Sequence, residues 1–184
     1  MITYRLHDSL PATVLAQLEE QLKDIPFAQQ QSKRRQQIEQ HLDNGKGSCH
    51  LQNRVIASIV EQNILHFDQM RYKLHAWVLM PNHVHVLLTP HNGILLSEIV
   101  HTWKSYTAKK ANAILGRTSS FWQQEYFDRM IRNEKHYYAA IEYIHNNPVK
   151  AGLCKASTEW DFGSAKLLLN NKTSKLRKEI DLQQ

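Results

Sequence analysis

Apolar residues along this chain recur with a period near two in some stretches and near 3.6 in others, and each switch marks an element. Met1 to Leu6 alternates as a short strand. From Leu10 to about Leu42, leucine and isoleucine recur among Gln, Glu, Lys and Arg, as in LAQLEEQLKDI and KRRQQIEQHLD. That pattern predicts two helices, with Pro26 as the break between them. Asn44-Gly45-Lys46-Gly47 is a turn. A further helix is expected over 52–67, with Val55, Ile59 and Ile64 on its buried side.

The texture changes at Arg71. RYKLHAWVLM and HVHVLLT are apolar strands joined by Pro81-Asn82, which predicts an antiparallel hairpin. Ser97 is the expected cap of a helix reaching Leu115, with Ile99, Trp103 and Tyr106 as its apolar stripe and Gly116 as its stop. FWQQEYFDRMIR suits an extended segment. Asn133 is expected to cap a last helix that ends near Asn146, before Pro148 and Gly152. Strands interleaved with helices around a tight hairpin give an α+β fold.

Composition narrows the function classes. A chain of 184 residues is long enough for one self-sufficient core. Two cysteines without CxxC spacing exclude a disulfide scaffold and a cysteine-based zinc ribbon. No apolar run approaches the length of about 20 residues that a membrane helix needs, and MITYRLHDSL has no signal-peptide pattern. The expectation is a cytoplasmic protein with no membrane partner. Lys and Arg exceed Asp and Glu by 23 to 17, which favours an anionic partner such as nucleic acid.

Candidate chemistry concentrates in two places. His83-Val84-His85 puts two imidazoles on one face of a strand, with Cβ atoms about 6–7 Å apart. Such a pair suits one metal ion or one phosphate oxygen, and by spacing alone the alternative is two histidines hydrogen-bonded at a half-buried surface. A two-residue hairpin loop pairs Met80 with His83, Val78 with His85 and His75 with Leu88. On that register His75 falls on the opposite face and is not a ligand. The second place is NEKHYYAAIEYIHNNP, where Tyr143 and Asn147 are one helical turn apart, with Ala139 and Ala140 a turn earlier. A phenol of pKa about 10 is a weak nucleophile unless its electrophile is polarised. A cation on the histidines would polarise a phosphodiester, and the Asn147 amide oxygen could complete its shell. The alternative for Tyr143 is a core aromatic, and for Asn146-Asn147-Pro148 a helix stop.

HAWVLMPNHVHVLLTP, WKSYTA, FWQQEYFDRMIR and YIHNNPVKAGL, taken in order, resemble the REP-associated tyrosine transposases, which belong to the HUH single-tyrosine transposase superfamily of bacterial insertion sequences. The resemblance runs from RLHDSLP to about Phe162. It implies a ferredoxin-like (RRM-like) antiparallel sheet with packed helices, forming one domain over 1–165. A helical N-terminal insertion over about 11–43 lies outside that minimal fold, and 166–184 reads as a basic polar tail. The resemblance further implies a metal-dependent transposase that cleaves and rejoins single-stranded DNA at hairpin, REP-like palindromic elements through a 5′-phosphotyrosine. It places the nucleophile at Tyr143 and the ligands of Mg²⁺ or Mn²⁺ at His83, His85 and Asn147. It also implies a nucleoid-associated location, and it leaves monomer and homodimer both open. Tyr137 and Tyr138 are nearby phenols whose spacing to Asn-Pro does not fit the motif.

For DNA contacts, Lys104 belongs to a basic stretch over 101–120 that holds no acidic residue. Arg129 and Arg132 flank the tyrosine helix and are the stronger candidates, and Lys150, just past its expected end, is a further one. The rival reading is a catalytically silent protein that binds DNA hairpins on the same scaffold. A metal hydrolase with an HxH motif on a barrel is a third, but such barrels run to about 250 residues, more than this chain has.

Overall fold

The computed structural model describes residues 1–168. Strands β1 (Ile2–Arg5), β2 (Tyr72–Leu79), β3 (His83–Pro90) and β4 (Phe127–Asp128) form one antiparallel sheet in the order β2-β3-β1-β4. This is the ferredoxin-like order, with the hairpin at one side and the first strand inside. Helices α1 (Ala12–Leu22), α2 (Phe27–Asp43) and α3 (Arg54–His66) lie between β1 and β2. Helix α4 (Leu96–Leu115) joins β3 to β4, and α5 (Glu134–Lys150) follows β4.

Alternation along the strands gives each face its own partner. Ile2, Tyr4, Trp77, Leu79, Val84 and Val86 face α3 and α4, where Ile56, Val60, Ile64, Ile99 and Trp103 complete the main core. Ala76, Val78, Met80 and Leu87 face α5, meeting Ala140 and Ile144. The small Ala140 is buried there and lets α5 approach the sheet. Pro26 separates α1 from α2, and the pair packs through Leu10, Val14, Leu18 and Leu42.

The C-terminal end of α2 is fastened close to the hairpin turn. The Asn82 amide donates to the Leu42 carbonyl at 3.0 Å, and Ser48 N–H donates to the Asp8 carbonyl at 3.0 Å. Gly47 is required at this crossing, since a Cβ there would stand 2.2 Å from the Ser9 carbonyl oxygen. The helical insertion is thereby held over the face of the sheet that carries the histidines.

Several expectations are corrected. Ile64 is buried as expected, but Val55 is 60% exposed and Ile59 only half-buried, because Ile56, Ala57 and Val60, next to them, form the rest of the buried side of α3. Tyr106 is 48% exposed, whereas Ile99 and Trp103 are core. Ser97 is the second residue of α4 rather than its cap, because the first turn already closes on the Leu95 carbonyl. Only Phe127–Asp128 of FWQQEYFDRMIR is strand, together with an isolated bridge between Leu6 and Trp122. Helix α5 runs through Pro148 to Lys150, with the proline inside its last turn. Gly152, with φ of 71°, then takes the left-handed position that ends it.

The hairpin register matches expectation as far as Ala76, which pairs with Leu87. A β-bulge then makes Leu74, not His75, the partner of Leu88. It turns His75 toward α5, where its ring bonds the Tyr137 hydroxyl at 3.1 Å and Thr89 Oγ1 at 2.9 Å. His75 therefore shares the face of His83 and His85, contrary to the unbulged register. Beyond Trp160 the chain stays bound to the body: Leu79 N–H donates to the Phe162 carbonyl at 2.9 Å, and Lys166 pairs with Glu61 at 3.4 Å. The remainder of the basic tail, 169–184, lies outside the described residues. Among the described residues no helix is long and apolar enough to cross a membrane.

Candidate active site

His83 and His85 leave β3 on the face covered by α5, and both are fully buried. Their rings meet edge to face, and the two Nε2 atoms are 3.0 Å apart. Each Nδ1 is already engaged, His83 with Asn82 Oδ1 at 2.7 Å and His85 with Thr3 Oγ1 at 2.8 Å. Because the Asn82 amide nitrogen donates to Leu42, its oxygen is the acceptor, so His83 Nδ1 carries the proton. That leaves a lone pair on His83 Nε2, in the manner by which outer partners set the tautomer of metal-binding histidines. Thr3 reaches His85 because the two residues are directly paired between β1 and β3. Burial, with some contribution from the Lys150 charge, lowers the pKa of His83 to about 3. Burial and the neighbouring His83 lower that of His85 as well. Both rings are neutral near pH 7, which is the ligating form.

Tyr143 approaches from α5. Its ring centroid stands 5.3 Å from that of His85, at a steep interplanar angle of 76°. Its hydroxyl is buried beside the Asn147 amide one turn later, and neither group makes a hydrogen bond of good geometry. Burial, with the carboxylates of Glu39 and Asp43 nearby, pushes the Tyr143 phenol above its ordinary pKa. Tyr137 is instead bonded to His75, and Tyr138 is exposed. Of the three phenols on this helix, Tyr143 is the one against the histidine pair.

The roof is α2. Arg35 pairs with Glu39 at 3.1 Å and stacks over the Phe127 ring at 3.2 Å. Asp43 pairs with Lys150 at 2.8 Å. A cleft of about 390 Å³ between α2 and α5 is walled by Arg35, Glu39, Arg129, His136 and Tyr143, among others. The residues present suit a divalent cation: two neutral imidazole nitrogens converge, and partnerless buried amide atoms of Asn147 stand on the helix opposite. Among the described residues, no group of three or more His, Cys, Asp and Glu side chains is ready-made for a metal. An amide oxygen or a further donor has to complete the shell.

The structure thus gathers Tyr143, His83, His85, Asn147 and Lys150. Arg129 and Arg132 are exposed where the chain leads into α5, lining with Lys135 an open cleft of about 550 Å³. Lys104 is not part of the cluster. It sits on α4, across the sheet, and its ammonium donates to the carbonyls of Gln123 and Gln124 at 2.6 Å. Sequence reasoning missed Thr3, Asn82 and the contribution of α2. One signal was available for Asn82: a Pro-Asn hairpin loop in place of the usual Asn-Gly.

Comparison with known proteins gives three findings. The family described as "Transposase IS200 like" matches residues 48–147, which span both histidines, Tyr143 and Asn147. A REP-associated tyrosine transposase of Escherichia coli K12 is 29% identical over 93 residues, covering 50% of this chain and 54% of the relative. A relative from Haemophilus influenzae is 26% identical over 96 residues, covering 47% of this chain and 54% of its own length. The chain therefore spans about half the length of the curated relatives it matches. Among solved structures, a REP-associated tyrosine transposase bound to a REP hairpin superposes with a TM-score of 0.53 at 21% identity. That match covers 89% of this chain and 73% of the other, and it supports the fold.

Proposed function

The chain belongs to the family of IS200-like transposases, and from that premise we propose that it cleaves and rejoins single-stranded DNA at hairpin elements, with Tyr143 as nucleophile. The observation that carries this reading is the meeting of the Tyr143 ring with His85, 5.3 Å between centroids, beside two imidazole Nε2 atoms 3.0 Å apart. The buried Tyr143 hydroxyl, which makes no hydrogen bond of good geometry, supports it, because a folded protein rarely leaves such a group poorly paired without a use.

His83, His85 and Asn147 would hold Mg²⁺ or Mn²⁺. When bound, the cation would draw charge from a phosphodiester oxygen and so favour attack at phosphorus. The chain's own residues do the rest. Asn82 and Thr3 fix the imidazoles so that both Nε2 atoms face the site. The Tyr143 oxygen forms a bond to phosphorus, and the bond from phosphorus to the 3′-oxygen breaks. The product is a 5′-phosphotyrosine and a free 3′-hydroxyl, with the phenol's proton ending on the departing oxygen. The reverse displacement by another strand's 3′-hydroxyl restores the phenol and rejoins the DNA, so the cycle needs no external energy source. Arg129 and Arg132 stand where they would hold phosphates of the strand entering the cleft beside α5.

End-labelled single-stranded hairpins incubated with Mg²⁺ or Mn²⁺ test the reading. The wild-type chain should form a detergent-resistant covalent adduct, and Tyr143→Phe should form none. An adduct that persists in Tyr143→Phe would move the nucleophile to another residue. Tight hairpin binding by the wild type with no adduct would favour the silent binding protein.

A further inference from the structure

The end of α2 places a carboxylate at the site that neither the histidine motif nor the tyrosine helix accounts for. Asp43 is the last residue of α2, and its side chain is only 9% exposed. An acidic group at a helix C-terminus opposes the macrodipole, so helix stability does not explain it. Its Oδ2 meets Lys150 Nζ at 2.8 Å. Its Oδ1 is buried, has no hydrogen-bond partner and lies 3.9 Å from His83 Nε2.

His83 cannot satisfy that oxygen, because the ring's proton is on Nδ1, toward Asn82. Two lone-pair atoms, Asp43 Oδ1 and His83 Nε2, therefore face each other here, and His85 Nε2, 3.0 Å from the latter, joins them once its proton moves to Nδ1, toward Thr3 Oγ1. A cation is what resolves such a cluster of acceptors. Two donors about 2.1 Å from one cation stand about 3.0 Å apart at right angles and about 4.2 Å apart across it. The observed spacings, 3.0 and 3.9 Å, fall in that interval. The three side chains do not yet form a closed metal-binding group, but the terminal torsion of aspartate is broad and leaves the carboxylate free to turn.

We propose that Asp43 is the carboxylate ligand of the divalent cation held by His83 and His85, delivered to the site by the helical segment of α1 and α2. This rests on the reading above that the histidine pair holds a cation. It adds an anionic oxygen to neutral imidazole and amide donors, as the hard ions Mg²⁺ and Mn²⁺ favour. The extra helices thereby acquire a purpose that the minimal sheet-and-helix fold does not supply.

Mn²⁺ binding to the full chain without DNA, followed through the EPR signal of the free ion, compares wild type with Asp43→Asn and Asp43→Ala. Thermal melting in EDTA establishes that each variant is folded. The affinity should fall at least about tenfold in both variants, and an affinity within about twofold of wild type in a folded variant overturns the proposal. A second measurement needs no variant. In crystals containing Mn²⁺, an anomalous peak within about 2.3 Å of an Asp43 oxygen supports the assignment. A peak on the imidazoles with Asp43 still turned to Lys150 overturns it. If His83→Ala and His85→Ala lose Mn²⁺ while the Asp43 variants keep it, Asp43 alone is removed from the site. A wild-type chain that takes up no Mn²⁺ removes Asp43 and the histidine reading together.

Discussion

The two faces of the sheet are built from alternate residues of the same strands, yet they pair their buried polar atoms to different degrees, with Asn63 Oδ1 of α3 left over on one face and atoms of three residues left over around the histidines on the other. On the α3–α4 face, the Trp103 indole donates to the Tyr72 hydroxyl at 3.0 Å. On the same side, the Trp122 indole donates to Thr107 Oγ1 at 2.9 Å, and that hydroxyl donates in turn to the Trp103 carbonyl at 2.6 Å. Those large aromatics are buried with their polar ends paired, as a stable core demands. On the α5 face, the Tyr143 hydroxyl, the Asn147 amide and one oxygen of Asp43 are buried without a hydrogen bond of good geometry. Such withheld hydrogen bonds cost stability, and they make sense where a ligand supplies the missing partner. One face holds the fold together, and the other is the face that the proposed chemistry would use.

Breaking the core face should have the largest effect. Trp103→Ala removes a fully buried indole and leaves Tyr72 without its donor, and it should destabilise the protein by about 3–5 kcal/mol. Urea unfolding checks this, and a loss below about 1 kcal/mol would mean that the face is less tightly packed than it looks. The next effect is a pH dependence on the histidine face. Unfolded histidine takes a proton near pH 6.5, whereas folded His83 resists it down to about 3. Between those values the unfolded chain holds more protons, so stability is intact above pH 6.5 and falls as the pH drops through the window. In EDTA, a shift from pH 7 to pH 5 should cost about 2 kcal/mol through His83 alone. His83→Gln should flatten that slope, and an unchanged slope would assign the protons elsewhere. The smallest effect has the opposite sign. Tyr143→Phe deletes an unpaired buried hydroxyl and should raise stability by about 1 kcal/mol, a gain of roughly 2–4 °C in melting temperature. A drop in melting temperature would show that this hydroxyl is paired in solution.

The same contrast explains what could be read from the sequence. The strands, the hairpin, the shared direction of His83 and His85 and the one-turn spacing of Tyr143 and Asn147 are all local periodicities. Each is visible within about ten residues of chain. Val55 and Tyr106 were misplaced for a related reason. A helical stripe is wide enough to admit a neighbouring phase, and only the packing of α3 and α4 selects one. His75 changed face because a bulge slipped the register by one residue. Thr3, Asn82 and Asp43 acquire their roles from partners brought together by the sheet or the fold, and Thr3 is separated from His85 by 82 positions. No window of sequence contains that relationship.

The position of β1 has a consequence in time. It is made before the other three strands of the sheet, yet its ladder partners are β3 on one side and β4 on the other. At synthesis rates of roughly 5–20 residues per second, it waits on the order of ten seconds before the hairpin can pair with it. Meanwhile α1, α2 and the β2–β3 hairpin depend on near neighbours and can form as they emerge. Thr3 reaches His85 only when that long-range pairing closes, and Tyr143 arrives later still. The orienting strand is made before its partners and engaged only after them, so the proposed chemistry has to wait until α5 has been made.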